Sequence, residues 1–546
     1  MRVLWTGFIV ALLVLSAVSV CAQDLLIDSA EEVAEAPAGA QLRAAISADL
    51  IDLSSLRAAA THSPAGKTLR LTLEEAIHIA LANNPDIVIA GYEPEKAGAE
   101  KLAAHGEFDP VLQQNINYTN SSMSLDQRMR RYAGFSSMDS AGTVTETTLG
   151  GKLKTGTRYA VQFNMNFEES TFDDFQGEYG GQLGFTLTQP LVRGFGIAAN
   201  TIRIRAADNL RAISEAQLEL TILNKIADTI KSYWDLAGAS EAARVQEGAL
   251  RNAERLLKIN GKRRDIGTAA DLDVLQAKAG VAMRQSELIA AYARVHDAGD
   301  ILKLALNLQD EGLFSSVVII PTDRPNLETD QTFDMDMMTE RIETGVETAL
   351  KSRPEMRMTD LEIANAELDE QRARNEMLPQ LDVVVSYMRG GRDRRLASTI
   401  SGIASEQDRT YAIGIQGSLV INNRSAHGAQ QRARLNVRQA EERRKKTEMA
   451  LMMGVHYAGR SVMTNKVLME STRQTVRLQE ANVSAEEKRL QLGTTTSYQV
   501  LLVQEDLTAA QVQKLQARIA YEKALIDFQL ATGTLLCELG IDPAEG

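Results

Sequence analysis

The sequence predicts an exported α+β chain built from two copies of one unit, each running helix, strands, long helix, helix. Three observations predict it. Ala80-Leu81-Ala82-Asn83-Asn84-Pro85-Asp86 returns as Ala349-Leu350-Lys351-Ser352-Arg353-Pro354-Glu355, an offset of 269 at which Pro110 also falls on Pro379 and Tyr118 on Tyr387. Short segments in both copies alternate apolar and polar residues at period two, as half-buried strands do. Long helical stretches follow those segments in each copy.

The first 22 residues read as a secretory signal: Arg2 is the charged region, Phe8 to Val18 is apolar, and Val20 and Ala22 are the small residues before Gln23. The apolar run is too short to cross a bilayer as a mature helix. Cys21 also admits a lipoprotein anchor, which Val20 disfavours, because a small residue is wanted directly before the cysteine. With Cys21 removed, Cys537 remains alone, so no disulfide framework exists. No later stretch reaches the length of a transmembrane helix. The net charge of −13 argues against a nucleic-acid surface. Sparse tryptophan and proline, with alanine, leucine, glutamine, glutamate and arginine dominant, is long-helix composition.

A second offset, 226, relates the later halves: Ile266-Gly267-Thr268 matches Leu492-Gly493-Thr494, and Val274-Leu275 matches Val500-Leu501. The first copy therefore carries extra residues before its helices resume. The expected boundaries are a signal at 1–22, a weakly ordered N-terminal extension at 23–70, the first repeat at 71–310, a linker at 311–340, the second repeat at 341–536 and a tail at 537–546.

The elements are expected in this order. Thr72 caps a helix from Leu73, with Glu75 at the capping-box position. Helix-forming residues continue to about His105, and Pro85 and Pro94 should each break or kink the helix. Strands follow at about 108–190. Tyr159, Val161, Phe163, Met165 and Phe167 alternate with Ala160, Gln162, Asn164 and Asn166; Leu183, Phe185 and Leu187 alternate with Gly184, Thr186 and Thr188. A soluble β-sandwich would alternate too, but the long helices and the signal favour a membrane-facing sheet. Residues 198–263 lack proline and space Ile222, Ile226, Ile230 and Trp234 at i+4, giving a helix of ~100 Å. Residues 268–308 give one of ~60 Å, and the opening helix is ~50 Å. Two shorter helices end to end match one long one, which suggests a cylinder wall of antiparallel long helices and coaxial short pairs. The second repeat places strands at about 379–421, with Val383, Val385 and Tyr387, then Tyr411, Ile413 and Ile415, on one face.

Chemistry is sought and not found in the sequence. No two of the six histidines stand at i+3 or i+4, and none neighbours a cysteine, so no metal site is expected. There is no nucleophile elbow, and Gly194-Phe195-Gly196 reads as a strand-to-helix turn, not as a phosphate loop. No catalytic residue, cofactor or enzyme activity is expected.

Several segments resemble TolC-like outer-membrane efflux proteins. They are Leu71-Thr72-Leu73-Glu74-Glu75-Ala76 with Asn84-Pro85, the stretch from Leu183 through Gln189-Pro190-Leu191 to Gly194 and Gly196, Leu378-Pro379-Gln380-Leu381, the two Gly-Thr turns, and Ala531-Thr532-Gly533-Thr534-Leu535. The resemblance spans about 71–536 and rests on order, duplication and spacing. It implies an α+β membrane protein: a long antiparallel α-helical periplasmic tunnel joined to a trimeric transmembrane β-barrel, each subunit giving four strands to a barrel of twelve. Its function would be the passive exit duct of a tripartite efflux or type I secretion system, in the outer membrane of a Gram-negative-type bacterium and reaching into the periplasm. The implied partners are two further copies, outer-membrane lipid, a periplasmic adaptor (membrane fusion) protein and an inner-membrane transporter, with no nucleic acid. Physics supports assembly independently, because open sheet edges are not tolerated in lipid. The alternative is a structural or adhesive coiled-coil surface protein.

The resemblance also assigns sites. Gly267, Thr268, Gly493 and Thr494 are the adaptor-docking tips. Asp271, Asp273, Gln499 and Glu505 are the candidate periplasmic gate; the family's second-repeat acids fall here on Gln499 and Leu502. Pro110, Gln189, Pro190, Gly194, Gly196 and Pro379 mark the strand–helix junctions. Thr268 with Asp271, and Thr496 with Gln499, have capping-box spacing. Two departures stand out. Pro110 to Pro190 is 80 residues against 42 from Pro379 to Ile421, so the first repeat has an added hairpin at about 140–180, either an extracellular flap or extra barrel strands. Ile421-Asn422-Asn423-Arg424 lacks the first repeat's proline.

Overall fold

Thr72 starts the helical chain as its neighbours require. Its Oγ1 accepts the Glu75 N–H at 3.2 Å, and the Glu75 carboxylate accepts the Thr72 N–H at 2.8 Å. The first helix ends at Asn83 because a proline follows Asn84, and the next begins on Pro85, where the missing N–H costs nothing. Pro354 opens a helix in the second repeat in the same way. Of the two outcomes expected at Pro94, a break does not occur; the helix runs through it to His105 without that one N–H bond, with Ala97 and Ala104 buried beyond it.

The computed structural model describes residues 67–134, 136–171, 176–267, 270–308, 317–323, 335–405 and 408–540. The expected signal, residues 23–66 of the extension, and Thr268 lie outside them. In chain order the elements are β1 (Lys67–Leu71), α1 (Leu73–Asn83), α2 (Pro85–His105), β2 (Val111–Ser124), α3 (Gln127–Ala133), β3 (Ser137–Lys152), β4 (Arg158–Ser170), β5 (Glu178–Pro190), α4 (Ile197–Asn200) and α5 (Ile202–Asp265). There follow α6 (Asp271–Ala305), β6 (Val317–Pro321), α7 (Met335–Ser352), α8 (Pro354–Glu376), β7 (Gln380–Asp393), α9 (Leu396–Ala404), β8 (Asp408–Ser418), α10 (Arg424–Gln491), α11 (Ser497–Thr532) and α12 (Leu535–Glu538).

The repeat is visible in these bounds. β2 and β7 are both 14 residues, and their ends stand 269 apart. The ends of α5 and α10, and the starts of α6 and α11, stand 226 apart. The compact units are not the repeats, however, because each unit takes segments from both.

One compact unit comprises Ala97–Arg211 and Leu361–Glu441 among the described residues. It holds a six-stranded sheet in the order β2-β3-β4-β5-β7-β8, every neighbour antiparallel. The resemblance implies four strands. The two extra ones, β3 and β4, are the added hairpin, and they lie within the sheet.

The other unit comprises Pro37–Lys96, Ala212–Asp360 and Glu442–Gly546, of which 37–66 and 541–546 are outside the described residues. The expected i+4 stripe is its core: Ile222, Ile226 and Ile230 bury against Ile77, Leu81 and Leu535. Two expectations need correction here. The last residues of the supposed extension and the middle of the supposed linker pair as parallel strands β1 and β6, and α7 begins within the linker's span. They order because Leu69, Leu71, Val317 and Ile319 are core residues. Tyr233 on α5, 0% exposed, latches this sheet: its hydroxyl lies 3.0 Å from Leu71 O and 2.9 Å from the Asp323 carboxylate, and accepts the Asp323 N–H at 3.2 Å. Burial pushes the Tyr233 phenol up to about 12, so it remains a donor. Asp323 also accepts the Leu73 N–H at 2.6 Å, an anion at the start of α1.

Candidate functional site

Strand side chains alternate between faces, and the registers assign each one. Val161 stands opposite Phe185, Phe185 opposite Tyr387, and Tyr387 opposite Tyr411. Tyr159, Leu187, Val385 and Ile413 form the next such row, and Phe163 stands opposite Leu183. One face is therefore apolar from β4 to β8 over these rows, while the Phe163–Leu183 row continues into Arg389 on β7 and Arg409 on β8. On the other, Gln162, Asn164, Thr186 and Thr188 stand opposite Gly184, Gln182, Ser386 and Val384. The apolar face continues onto β3 through Leu149, Thr147, Thr145 and Thr143, and onto β2 through Leu112, Ile116 and Tyr118. Threonine carries β3, which is why its period-two pattern escaped a search for apolar residues.

The junction residues build one bonded corner. Pro110 and Pro379 precede β2 and β7, where a missing N–H is tolerated. Pro190 closes β5, and the next residue, Leu191, donates its N–H to Leu381 O at 2.8 Å. Gly194 (φ 77°) and Gly196 (φ 90°) turn the chain, and Asn200 Nδ2 donates to both of their carbonyls at 2.8 Å. Gly194 N–H donates to Asn375 Oδ1 at 2.8 Å. In the second repeat Asn422 has a positive φ (64°) at the place equivalent to Gly196 in the first. Asparagine tolerates that conformation, so the turn survives there without the Gln-Pro-Leu segment. Gln189 accepts a hydrogen bond from Thr157, at the turn of the added hairpin.

At the helix tips, Gly267 (φ 78°) and Gly493 (φ 72°) both adopt the left-handed conformation. Gly493 N–H donates to Leu490 O at 3.1 Å and Thr494 N–H to Arg489 O at 2.9 Å, the paired bonds of a Schellman C-cap. Gly267 N–H makes the corresponding bond to Arg264 O at 2.8 Å. Thr496 caps α11, its Oγ1 accepting the Gln499 N–H at 3.3 Å as its spacing predicts. The first tip differs. Ala270 is the N-cap there, and the Asp273 carboxylate accepts its N–H at 3.1 Å; the expected Thr268–Asp271 pairing lies outside the described residues. Ile266 and Leu492, beside the glycines, are 73% and 79% exposed.

Of the gate candidates, Asp271 and Gln499 are exposed, Asp273 is spent on the cap, and Glu505 lies 3.6 Å from the buried Arg284. Sequence reasoning missed Asn260. It is 0% exposed on α5, where its Oδ1 accepts from Ser497 Oγ at 3.0 Å and its Nδ2 lies 3.4 Å from Asp273 O. One buried amide thus joins the long helix to the first turns of both tip helices. An asparagine inside a long polar helix carries no signal of this in the sequence.

The family model described as "Outer membrane efflux protein" matches residues 76–308 and 345–534. The pyoverdine export outer membrane protein OpmQ of Pseudomonas putida is 24% identical over 463 residues, 83% of this chain and 85% of that protein. Its Pseudomonas aeruginosa counterpart is 26% identical over 333 residues, 60% of this chain and 65% of that protein. Among solved structures, the Campylobacter jejuni CmeC outer membrane channel aligns with a TM-score of 0.59 at 16% identity, over 85% of this chain and 86% of that one. The outer membrane protein VceC of Vibrio cholerae aligns with a TM-score of 0.60 at 17% identity, over 84% of this chain and 96% of that one. At such identities the structural likeness speaks for the fold.

Proposed function

The chain belongs to the outer membrane efflux protein family, and on that premise we propose that three copies form the exit duct of a tripartite efflux or type I secretion system. It is an efflux channel protein of the outer membrane that extends into the periplasm, and its family is one of transporters. The observation that carries the duct reading is the two-faced sheet. Its apolar face suits lipid and its polar face suits a water-filled lumen. Among the described residues its outermost strands, β2 and β8, each pair on one side only, an arrangement that lipid does not tolerate, so further copies would supply the missing neighbours. The helices then line the periplasmic tunnel, and transport is passive, driven by an inner-membrane pump. A structural or adhesive coiled-coil surface protein has no need of such a sheet, and none of the comparisons supports it.

The tips Gly267, Thr268, Gly493 and Thr494 are read as the surface that meets the hairpins of a periplasmic adaptor. The exposed Ile266 and Leu492 and the bare glycines beside them support this reading. Glutamate at both Gly267 and Gly493 should leave trimers in the outer membrane, seen by fractionation and native mass spectrometry, yet abolish export and adaptor crosslinking. Backbone strain is common to both substitutions, so loss of helix order would harm assembly in the alanine and glutamate double variants alike, whereas loss of docking should be greatest for glutamate. Normal export by the glutamate double variant rules the tips out as the contact.

A further inference from the structure

We propose that the added hairpin is part of the barrel wall, so that three copies of this chain close an eighteen-stranded barrel, β2 of each copy pairing with β8 of the next. The proposal rests on the trimeric-barrel reading above and departs from the twelve strands that the resemblance implies.

Hydrogen bonding is the first argument. β3 and β4 stand between β2 and β5, paired along their lengths from Val111↔Gly150 to Ser124↔Ser137 and from Arg158↔Thr188 to Glu168↔Glu178. A flap outside the wall would leave β2 beside β5; here β2 pairs, among the described residues, with β3 alone. Length is the second. β3 and β4 have 16 and 13 residues, and a tilted strand needs about 9–11 to cross a membrane. The third is continuity of the faces. Tyr159, Val161 and Phe163 extend the apolar face of β5 without a break, and an extracellular flap in water has no use for that face.

The periplasmic turn of the hairpin is also built into the strand-to-helix corner. Gly156 has φ 91°, and a Cβ there would stand 2.2 Å from Gly194 O, so only glycine lets the turn sit against that corner. Gly196 N–H donates to Thr155 O at 3.1 Å. Arg158, on β4, reaches over β5 to within 3.5 Å of the buried Asp382 on β7, tying the hairpin to the second repeat.

The occupant of each open edge is a second copy, because the two edges complement each other. With six antiparallel strands, β2 and β8 run in opposite directions, so a ring of copies continues the antiparallel order. Both edges present apolar residues on the same face: Ile116 and Tyr118 are 49% and 58% exposed on β2, and Tyr411 and Ile413 are 77% and 76% exposed on β8. Barrel diameter grows roughly with strand number, so the pore through the outer membrane would be about one and a half times as wide as a twelve-stranded one.

The test begins from Cys537→Ser, which removes the cysteine outside the predicted signal. A cysteine at Asn117 on β2 is then combined with one at Thr410, Ala412 or Gly414 on β8, and outer membranes are oxidised. One register should give disulfide-linked dimers and trimers on denaturing gels. Cryo-electron microscopy of the unmodified trimer in lipid nanodiscs should resolve eighteen wall strands. A trimer with twelve wall strands and residues 137–170 outside, or an intact trimer in which no pair crosslinks, overturns the proposal and leaves the duct reading standing. A chain that forms no trimer overturns both.

Discussion

Single residues decide where this chain turns and which way its faces look. Gly533 (φ 75°) and Asn307 (φ 51°) sit at equivalent places after the tip helices, and Gly196 and Asn422 at equivalent places before the long ones. The glycines were legible as turns; the asparagines were not, because asparagine is common elsewhere and its tolerance of a left-handed backbone shows only in place. Tyr159, Val161, Phe163, Leu183, Phe185, Leu187, Tyr411 and Ile413 share one face of the sheet, and Gln162, Asn164, Thr186 and Thr188 the other, since period two leaves no choice once the register is fixed. Arginine at Phe185 should cost ~2–4 kcal/mol if that residue meets lipid near the midplane, read as loss of folded trimer in a urea titration in liposomes. Arginine at Thr186 should alter conductance instead, and equal tolerance at both sites would contradict the assignment. Asn260 gives a second test. Asn260→Ala leaves the Ser497 hydroxyl buried and unpaired, at a cost of about 1–3 kcal/mol. Adding Ser497→Ala should then cost less than the two single changes summed, because the residues share one bond. Additive losses in thermal unfolding would deny the link.

At the scale of elements, the helices were the most legible part of the sequence. The absence of proline marked out α5, and its i+4 stripe of Ile222, Ile226 and Ile230 proved to be core. β1, β6 and β3 were not legible, each for a physical reason. β1 and β6 are five residues each and order only by burying Leu69, Leu71, Val317 and Ile319 against helices distant in sequence. β3 carries threonines on the face it shares with Phe163 and Met165, and period analysis counts threonine as polar. The tips were legible as turns, and Asp273 accepts the N–H of Ala270, the residue before α6. This bears on the gate. Asp273 is engaged by Ala270, Glu505 is near Arg284, and Gln499 and Leu502 are uncharged. A multivalent cation added from the periplasmic side should therefore block conductance less than it does in relatives with an acidic ring. Strong block at low concentration would show that Asp271 and Glu505 of three subunits make a ring after all.

For the whole molecule, duplication organises the sequence, yet neither compact unit is a repeat. Each repeat gives strands to one unit and helices to the other, so the matching offsets of 269 and 226 describe a shared plan of elements, not separable domains. The drop between the two offsets located the insertion; only the hydrogen bonds of β3 and β4 put it in the sheet. The outer-membrane address and the export role were readable because the ordered and duplicated segments from Leu71-Thr72-Leu73 to Ala531-Thr532-Gly533-Thr534-Leu535 resemble TolC-like outer-membrane efflux proteins. The central claim is that this chain makes a transmembrane duct. The most direct measurement is single-channel recording after detergent-extracted protein is added to a planar lipid bilayer. The account predicts discrete, uniform conductance steps from a species that runs as a trimer, abolished when the sheet face is broken by Phe185→Arg. A water-soluble rod that never inserts, or a bilayer that stays silent with folded trimer present, would contradict it.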